Sequence, residues 1–76
     1  MTIDEFMTDI APKMRPGWVA MSQKGDWWYY PDEPSINTAI GHWHKTGIKF
    51  PGLLSGFDID PVDDWTQSLR KVGCNE

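Results

Sequence analysis

The sequence has almost no cysteine: Cys74 is the only one among 76 residues, so no intrachain disulfide can form. This excludes the small secreted scaffolds in which disulfides replace a large core, and we interpret Cys74 as a tail residue without a chemical role. Basic residues are also few, with seven Lys and Arg against eleven Asp and Glu and a formal net charge of −4. The shortage of positive charge disfavours binding to a nucleic-acid backbone, because no basic stripe is available to release counterions.

Long apolar runs are missing as well. No segment approaches the roughly 20 consecutive apolar residues that cross a bilayer. The first ten residues, MTIDEFMTDI, carry acids where a secretory signal carries bases. These features predict a cytosolic protein without a membrane partner. The length allows one domain at most, so we predict a single small globular domain covering residues 1–76.

The N-terminal residues have the pattern of an amphipathic helix. Thr2 and Glu5 have the spacing of a capping box. Apolar residues then recur at the helical period, at Ile3, Phe6, Met7 and Ile10. We expect a helix that ends at Pro12 and packs this apolar stripe on a sheet.

A hairpin with two apolar faces is predicted next. The segments WVAMS and DWWYY flank the loop QKG, whose Gly25 suits the left-handed position of a three-residue turn. Pairing Ser22 with Asp26 places one set of side chains on each face: Val19, Met21, Trp27 and Tyr29 on the first, and Trp18, Ala20, Trp28 and Tyr30 on the second. Neither set is polar. We therefore expect the helix to cover the first face and later chain or a partner to cover the second.

The remaining chain is less regular. We interpret PDEPSINTAIG and PGLLSGFDID as loops, and HWHKTGIKF between them as one further strand. Asp60 before Pro61 has the pattern of a helix N-cap, which predicts a short closing helix from Pro61 to Lys71 that Trp65 pins to the domain. The expected fold is α+β: an N-terminal helix packed on a small antiparallel sheet of about three strands, with a short C-terminal helix.

The arrangement GWVAMSQKGDWWYYPDEPSI, followed by Trp43 and by DWTQSL, resembles a group of small uncharacterised bacteriophage and prophage proteins. Those proteins share a Trp-containing strand, a G-x-W hairpin, an aromatic pair before a Pro-containing loop, and a terminal D-W-x-x-S-L segment. The resemblance covers residues 17–69. It implies a phage origin and a location in the host cytoplasm, and it brings no catalytic residues with it.

A second resemblance, to the WW domain that binds proline-rich peptides, rests on PGW at residues 16–18, on Tyr29 and Tyr30, and on Trp43. The sequence departs from that family in lacking a histidine after the tyrosine pair and a proline three residues after Trp43. A WW-like peptide binder is therefore kept as an alternative.

The residue types that act in catalysis or bind metals do not form a recognisable catalytic or metal site in this sequence. His42 and His44 share one side of a strand, but neither Asp58 nor Asp60 adds a third ligand at a diagnostic spacing. The acids of DIDPVDD lack the glycine and glutamate of an EF-hand loop, and the predicted helix start explains them. No nucleophile elbow or phosphate-binding loop is present. We predict a protein that is not an enzyme and has no cofactor and no bound metal.

The surplus of aromatic residues indicates where the function lies, because exposed Trp and Tyr anchor protein interfaces. The candidate binding residues are Trp18, Trp28, Tyr30 and Trp43. The leading hypothesis is a phage-type protein-binding module for a host protein, with inhibition of a defence or polymerase component as one mode of action. The alternative is single-stranded nucleic-acid binding, in which the rings of Trp18, Trp28 and Tyr30 stack on bases. The residues that could hold the backbone are Arg15, Lys24, Lys45 or Lys49.

Overall fold

A computed structural model describes residues 1–54 and 56–73, so Cys74 lies outside the described residues. The described chain contains one α-helix, two one-turn 3₁₀ helices at Ala11–Lys13 and Trp65–Gln67, and short strands. They are α1 (Ile3–Asp9), β1 (Gly17–Met21), β2 (Trp27–Tyr30), β3 (Ser35–Asn37), β4 (His42–His44), β5 (Gly52–Leu53) and β6 (Arg70–Val72). Within the described ranges, no helix has the length and apolar character needed to cross a membrane.

Helix α1 begins at the predicted capping box. Thr2 Oγ1 accepts a hydrogen bond from the Glu5 backbone N–H at 3.1 Å, and Glu5 Oε1 accepts one from the Thr2 N–H at 2.8 Å. The helix is shorter than expected, because Ile10 is already its C-cap and Pro12 lies in the following 3₁₀ turn. Pro12 has no N–H to donate to the carbonyl oxygen four residues earlier, so the α-helical hydrogen-bond pattern cannot continue through it, which accounts for this early end.

The hairpin of β1 and β2 has the predicted register. Met21 is opposite Trp27, Ala20 is opposite Trp28, and the remaining pairs follow in sequence. The turn closes through two backbone hydrogen bonds, from Ser22 N–H to Asp26 O at 2.8 Å and from Gly25 N–H to Ser22 O at 2.9 Å. Gly25 has φ = 96°, a conformation that glycine adopts without the steric cost of a side chain.

The sheet prediction was wrong in detail. Instead of one sheet of about three strands, there is a four-stranded sheet in the order β5-β2-β1-β6 and a two-stranded sheet of β3 and β4, with antiparallel pairs in both. The predicted third strand is β4, but it pairs with β3 rather than with the hairpin. Strands β3 and β5 lie in the two stretches interpreted as loops, because two or three residues are too few to show an alternating pattern.

The predicted closing helix over Pro61–Lys71 is also wrong. Its residues form the Trp65–Gln67 turn and then β6, which pairs antiparallel with β1. Asp64 rather than Asp60 is the capping residue, since Asp64 Oδ1 accepts a hydrogen bond from Thr66 N–H at 3.0 Å. Pairing with β1 satisfies backbone groups that would otherwise form an open sheet edge, and this tertiary demand overrides the local helix signal.

The two faces of the hairpin belong to two core clusters, as the register predicts. On the first face, Val19, Met21 and Trp27 are buried against the helix residues Ile3 and Phe6. The cluster is completed by Ala11, Ile59 and Val72. On the second face, Ala20, Tyr30 and Trp43 are buried, and Trp18, Trp28, Trp65 and Leu69 pack against them. Residues that follow the hairpin in the sequence therefore cover much of the second face, which was one of the two expected alternatives.

The end of β1 is fixed by hydrogen bonds from outside the hairpin. Met21 N–H donates to Ser68 Oγ at 2.8 Å, and Met21 O accepts from the Trp43 indole N–H at 3.1 Å. Ser68 has no exposed surface, and its hydroxyl lies 2.6 Å from the Trp65 carbonyl oxygen, to which it can donate. One residue of β1 thus holds both the C-terminal segment and the second sheet.

We expect Ser68→Ala to lower the free energy of unfolding by about 1–3 kcal/mol, because it leaves the buried Met21 N–H without an acceptor. Ser35→Ala is the matched control, since Ser35 is exposed at the start of β3. Urea unfolding of both variants measures the difference. Equal stability of the two variants would show that the Ser68 hydroxyl does not hold the C-terminal segment.

Two strand glycines provide a second test. A Cβ on Gly17 would lie 2.6 Å from ring atoms of Tyr29, whose hydroxyl donates to Pro16 O at 2.9 Å, whereas a Cβ on Gly52 would meet nothing within 4 Å. We expect Gly17→Ala to destabilise the fold by about 1–3 kcal/mol through overpacking. Gly52→Ala should be neutral or slightly stabilising, because alanine restricts the unfolded chain. Thermal unfolding of both variants separates the effects, and a neutral Gly17→Ala would place the Tyr29 ring elsewhere.

Candidate functional site

The four candidate binding residues come together on the second face of the hairpin, in one cluster. They differ in exposure. Tyr30 is 1% exposed and Trp43 is 7% exposed, so both are part of the core. Trp18 and Trp28 are half-buried, and Ala20 between them has no exposed surface. Only Trp18 and Trp28 among the four therefore present substantial ring surface to a partner.

Tyr30 and Trp43 are held by polar contacts as well as by packing. The Tyr30 hydroxyl donates to Trp43 O at a long 3.4 Å, while the Trp43 indole donates to Met21 O. Trp43 also meets Trp65 edge to face, with ring centroids 6.3 Å apart. Burial disfavours the phenolate and raises the pKa of Tyr30 to about 12. Tyr30 and Trp43 are therefore buried beneath the site and do not form its surface.

Trp18 lies where β1 meets β6. Its register partner is Lys71, whose Nζ lies 5.8 Å from the centroid of the Trp18 ring. This distance is within the range of a cation–π contact, which at an exposed position contributes about 0.5–1 kcal/mol. Part of the Trp18 ring is therefore already engaged by this chain.

Trp28 lies between two side chains that are not buried, Leu53 and His42. On one side its register partner is Leu53 of β5, and paired residues of antiparallel strands share a face. Leu53 is 51% exposed. On the other side the His42 ring is 5.9 Å from the Trp28 ring, with a 60° angle between their planes.

A cavity of about 230 Å³ adjoins Trp28, between the hairpin loop at residues 22–26 and residues 40–42. The Gln23 N–H donates to Gly41 O at 3.0 Å, which fixes these two segments to each other. Ile40, 62% exposed, also lines the cavity. We refer to this cavity together with Trp28, Ile40, His42 and Leu53 as the Trp28 site.

Two buried polar atoms beside the cavity have no hydrogen-bond partner among residues 1–54 and 56–73. They are Ser22 Oγ and His42 Nδ1, and both residues line the cavity. Lys24 and Asp26 also line it, with opposite charges. The lining of the cavity therefore includes apolar, polar and charged residues, while Ser22 Oγ and His42 Nδ1 themselves have almost no accessible surface.

Sequence reasoning found Trp28 but missed Ile40 and Leu53. Both lie in segments interpreted as loops, and their position beside Trp28 follows from strand pairings that the sequence pattern did not predict. The available signal was an apolar residue within a polar or Pro-rich stretch. That signal is weak, since Ile48 and Phe50 share it and are 92% and 80% exposed.

The histidines and acidic residues do not form a metal site in the described part of the chain. No three His, Cys, Asp or Glu side chains are grouped there so that they could hold an ion. His42 and His44 are opposite Asn37 and Ser35 on β3, neither of which supplies a carboxylate. Asp64 is engaged as the cap of the Trp65–Gln67 turn.

Comparison with known proteins gives no family. The chain has no significant match to a protein-family model, to a curated protein or to a solved structure. The fold defines the class of the protein, a small mixed structure with one described helix and antiparallel sheets of four and two strands. Functional inference therefore depends on the Trp28 site itself.

The raised pKa of Tyr30 predicts a loss of stability in alkali. The folded state keeps the phenol protonated up to about pH 12, while the unfolded chain releases the proton near pH 10, so stability falls as pH rises through this window. Tyr30→Phe should show a smaller fall between pH 10 and 12 than the native chain. Urea unfolding at pH 8 and at pH 11 measures the difference, and equal falls would contradict burial of the Tyr30 hydroxyl.

Proposed function

We propose that this chain is a non-enzymatic protein-binding module that contacts its partner through the Trp28 site. The observation that carries the proposal is the position of Trp28. Its ring is half-buried on the core, and the rest of it adjoins the exposed side chains of Leu53 and Ile40. A large aromatic ring that is fixed in place but still accessible loses little conformational freedom when a partner covers it.

The surroundings of Trp28 support a protein partner. Apolar side chains of the site lie next to the exposed polar residues Gln23, Lys24 and Asp26, which line the same cavity as Trp28 and Ile40. An apolar centre with a polar rim is the usual anatomy of a protein interface. Strand β2 is paired on both sides, with β5 and with β1, so the backbone that carries Trp28 is held in place before binding.

A host protein is the partner that the resemblance to phage proteins implies, with a component of a defence system or of a polymerase as examples. A module of this kind acts by covering a surface of its partner, and inhibition follows where that surface is functional. The net charge of −4 favours a partner with a neutral or basic surface, because complementary charge raises the association rate.

Nucleic-acid binding is less well supported than protein binding. Tyr30, one of the three rings assigned to base stacking, is 1% exposed and cannot accept a base without unfolding its surroundings. Trp18 and Trp28 remain as partly exposed rings, and an oligonucleotide is therefore included in the experiment below.

The experiment is a quantitative pull-down from bacterial host cytosol with the full chain as bait, followed by binding measurements with the recovered protein. Trp28→Ala should weaken binding by about 2 kcal/mol or more, which is roughly 30-fold, because it removes the central anchor. Leu53→Ala should weaken it as well and carries little risk to the fold, since Leu53 is 51% exposed. Circular dichroism and thermal unfolding establish that each variant is folded.

Ile48→Ala is the matched control for a loss of surface apolarity, because Ile48 is 92% exposed. Native affinity in the Leu53→Ala and Trp28→Ala variants, or an equal loss in Ile48→Ala, would overturn the proposal. A single-stranded oligonucleotide that binds with strong salt dependence would instead support the nucleic-acid alternative.

A further inference from the structure

The loop between β4 and β5 presents side chains that the rest of the chain does not cover. Ile48, Lys49 and Phe50 are all exposed. In the described structure, no backbone group of residues 48–50 takes part in a backbone hydrogen bond. Segments with exposed side chains and few backbone hydrogen bonds open locally at a small cost in free energy, and proteases cut folded chains at such segments. The loop can therefore open without unfolding of the core.

Lys49 differs from the other basic residues in the peptide bond that follows it. After Lys13 and after Lys24, the next residue donates its backbone N–H to a carbonyl oxygen of the same turn, at 3.1 Å and 2.9 Å. After Arg15 the next residue is a proline, and proteases that select basic residues rarely hydrolyse a bond to a proline nitrogen. The bond between Lys49 and Phe50 has neither form of protection.

The other three of the seven basic residues are engaged by their surroundings. Lys45 Nζ donates a hydrogen bond to Gly47 O at 3.0 Å. Arg70 and Lys71 lie in β6, which pairs with β1. Paired strands have to separate before a protease can bind one of them. In the described chain, Lys49 is thus the basic residue for which both the side chain and the following bond are accessible.

We propose that the Lys49–Phe50 bond is a cleavage site for endoproteases that select a basic side chain, and that the cleaved chain stays assembled. Such a protease holds the lysine in a pocket that contains a carboxylate. Hydrolysis consumes one water: as the bond breaks, the Lys49 carbonyl carbon gains the OH and the Phe50 nitrogen gains the hydrogen. This property is separate from the Trp28 site and does not rest on the proposed function.

The two pieces of the cleaved chain share the core, which is the reason that they stay together. Residues 1–49 contain α1 and both strands of the hairpin. Residues 50–76 contain β5 and β6, which pair with β2 and β1. Four side chains of this second piece also pack in the two core clusters: Ile59, Val72, Trp65 and Leu69. Cleavage in the loop breaks none of these contacts.

The test is limited digestion of the purified full chain with trypsin, with the products identified over time by mass spectrometry. The first products should be residues 1–49 and 50–76. They should elute together from a size-exclusion column and keep the circular dichroism spectrum of the intact chain. A first cut after any other basic residue, or separation of the two pieces, would overturn the proposal.

Lys49→Gln should slow the first cut by about tenfold or more, because it removes the charge that the protease selects. Lys13→Gln is the matched control, since Lys13 is also exposed but the bond after it is protected. The control should be cut at the native rate to within about twofold. Thermal unfolding establishes that both variants are folded. No slowing in Lys49→Gln, or equal slowing in the two variants, would contradict the assignment.

Digestion in 0 to about 1 M urea separates local opening of the loop from unfolding of the whole chain. Local opening exposes little surface, so the rate of the first cut should change by less than about twofold. Cleavage through global unfolding would instead accelerate by about fivefold or more per molar urea, because unfolding of a small domain has a much steeper urea dependence. An unfolded lysine peptide in the same solutions corrects for the activity of trypsin. Acceleration of the steeper kind would overturn the proposal.

Discussion

The fold depends on the backbone of Met21, the last residue of β1, which is opposite Trp27 of β2 but lies beyond the part of β1 that pairs with β6. Its N–H donates to Ser68, its carbonyl oxygen accepts from the indole of Trp43, and its sulfur lies 3.3 Å from the N–H of Val62. A strand that ends in a core leaves polar groups that must be paired. Two separate parts of the chain, at Ser68 and at Trp43, meet this requirement at one residue, and this brings the C-terminal segment and the second sheet to the hairpin.

This requirement gives a physical reason for the segment DWTQSL. Asp64 caps the one-turn helix, Trp65 packs against both core clusters, and Ser68 binds the Met21 N–H. Leu69 packs on the second cluster before β6 pairs with β1. Each named position of the D-W-x-x-S-L pattern thus has a structural task. Its residue types follow from capping, packing and hydrogen bonding, so the pattern need not indicate a catalytic or ligand-binding role.

The parts of the fold that local rules determine could be predicted from the sequence. The Gly25 turn sets the hairpin register, the register sets the two faces, and Thr2 with Glu5 sets the start of α1. The closing helix was predicted wrongly because the cap pattern at Asp60 is local, whereas the demand for a partner along β1 arises only once the hairpin exists. Trp28 was identifiable from the two-faced pattern. The burial of Tyr30 and Trp43 could not be predicted, because it depends on where β4 and residues 61–69 pack.

The shortness of β5 has a consequence for recognition. This outer strand contains only Gly52 and Leu53, and Pro51 before it has no N–H to donate. The edge therefore offers too little backbone for a partner to add a strand of its own, the mode in which main-chain hydrogen bonds supply affinity. In the proposed binding mode, recognition at Leu53 and Trp28 therefore depends on side-chain shape, and selectivity among partners is decided by which residues they present rather than by how extended their chains are.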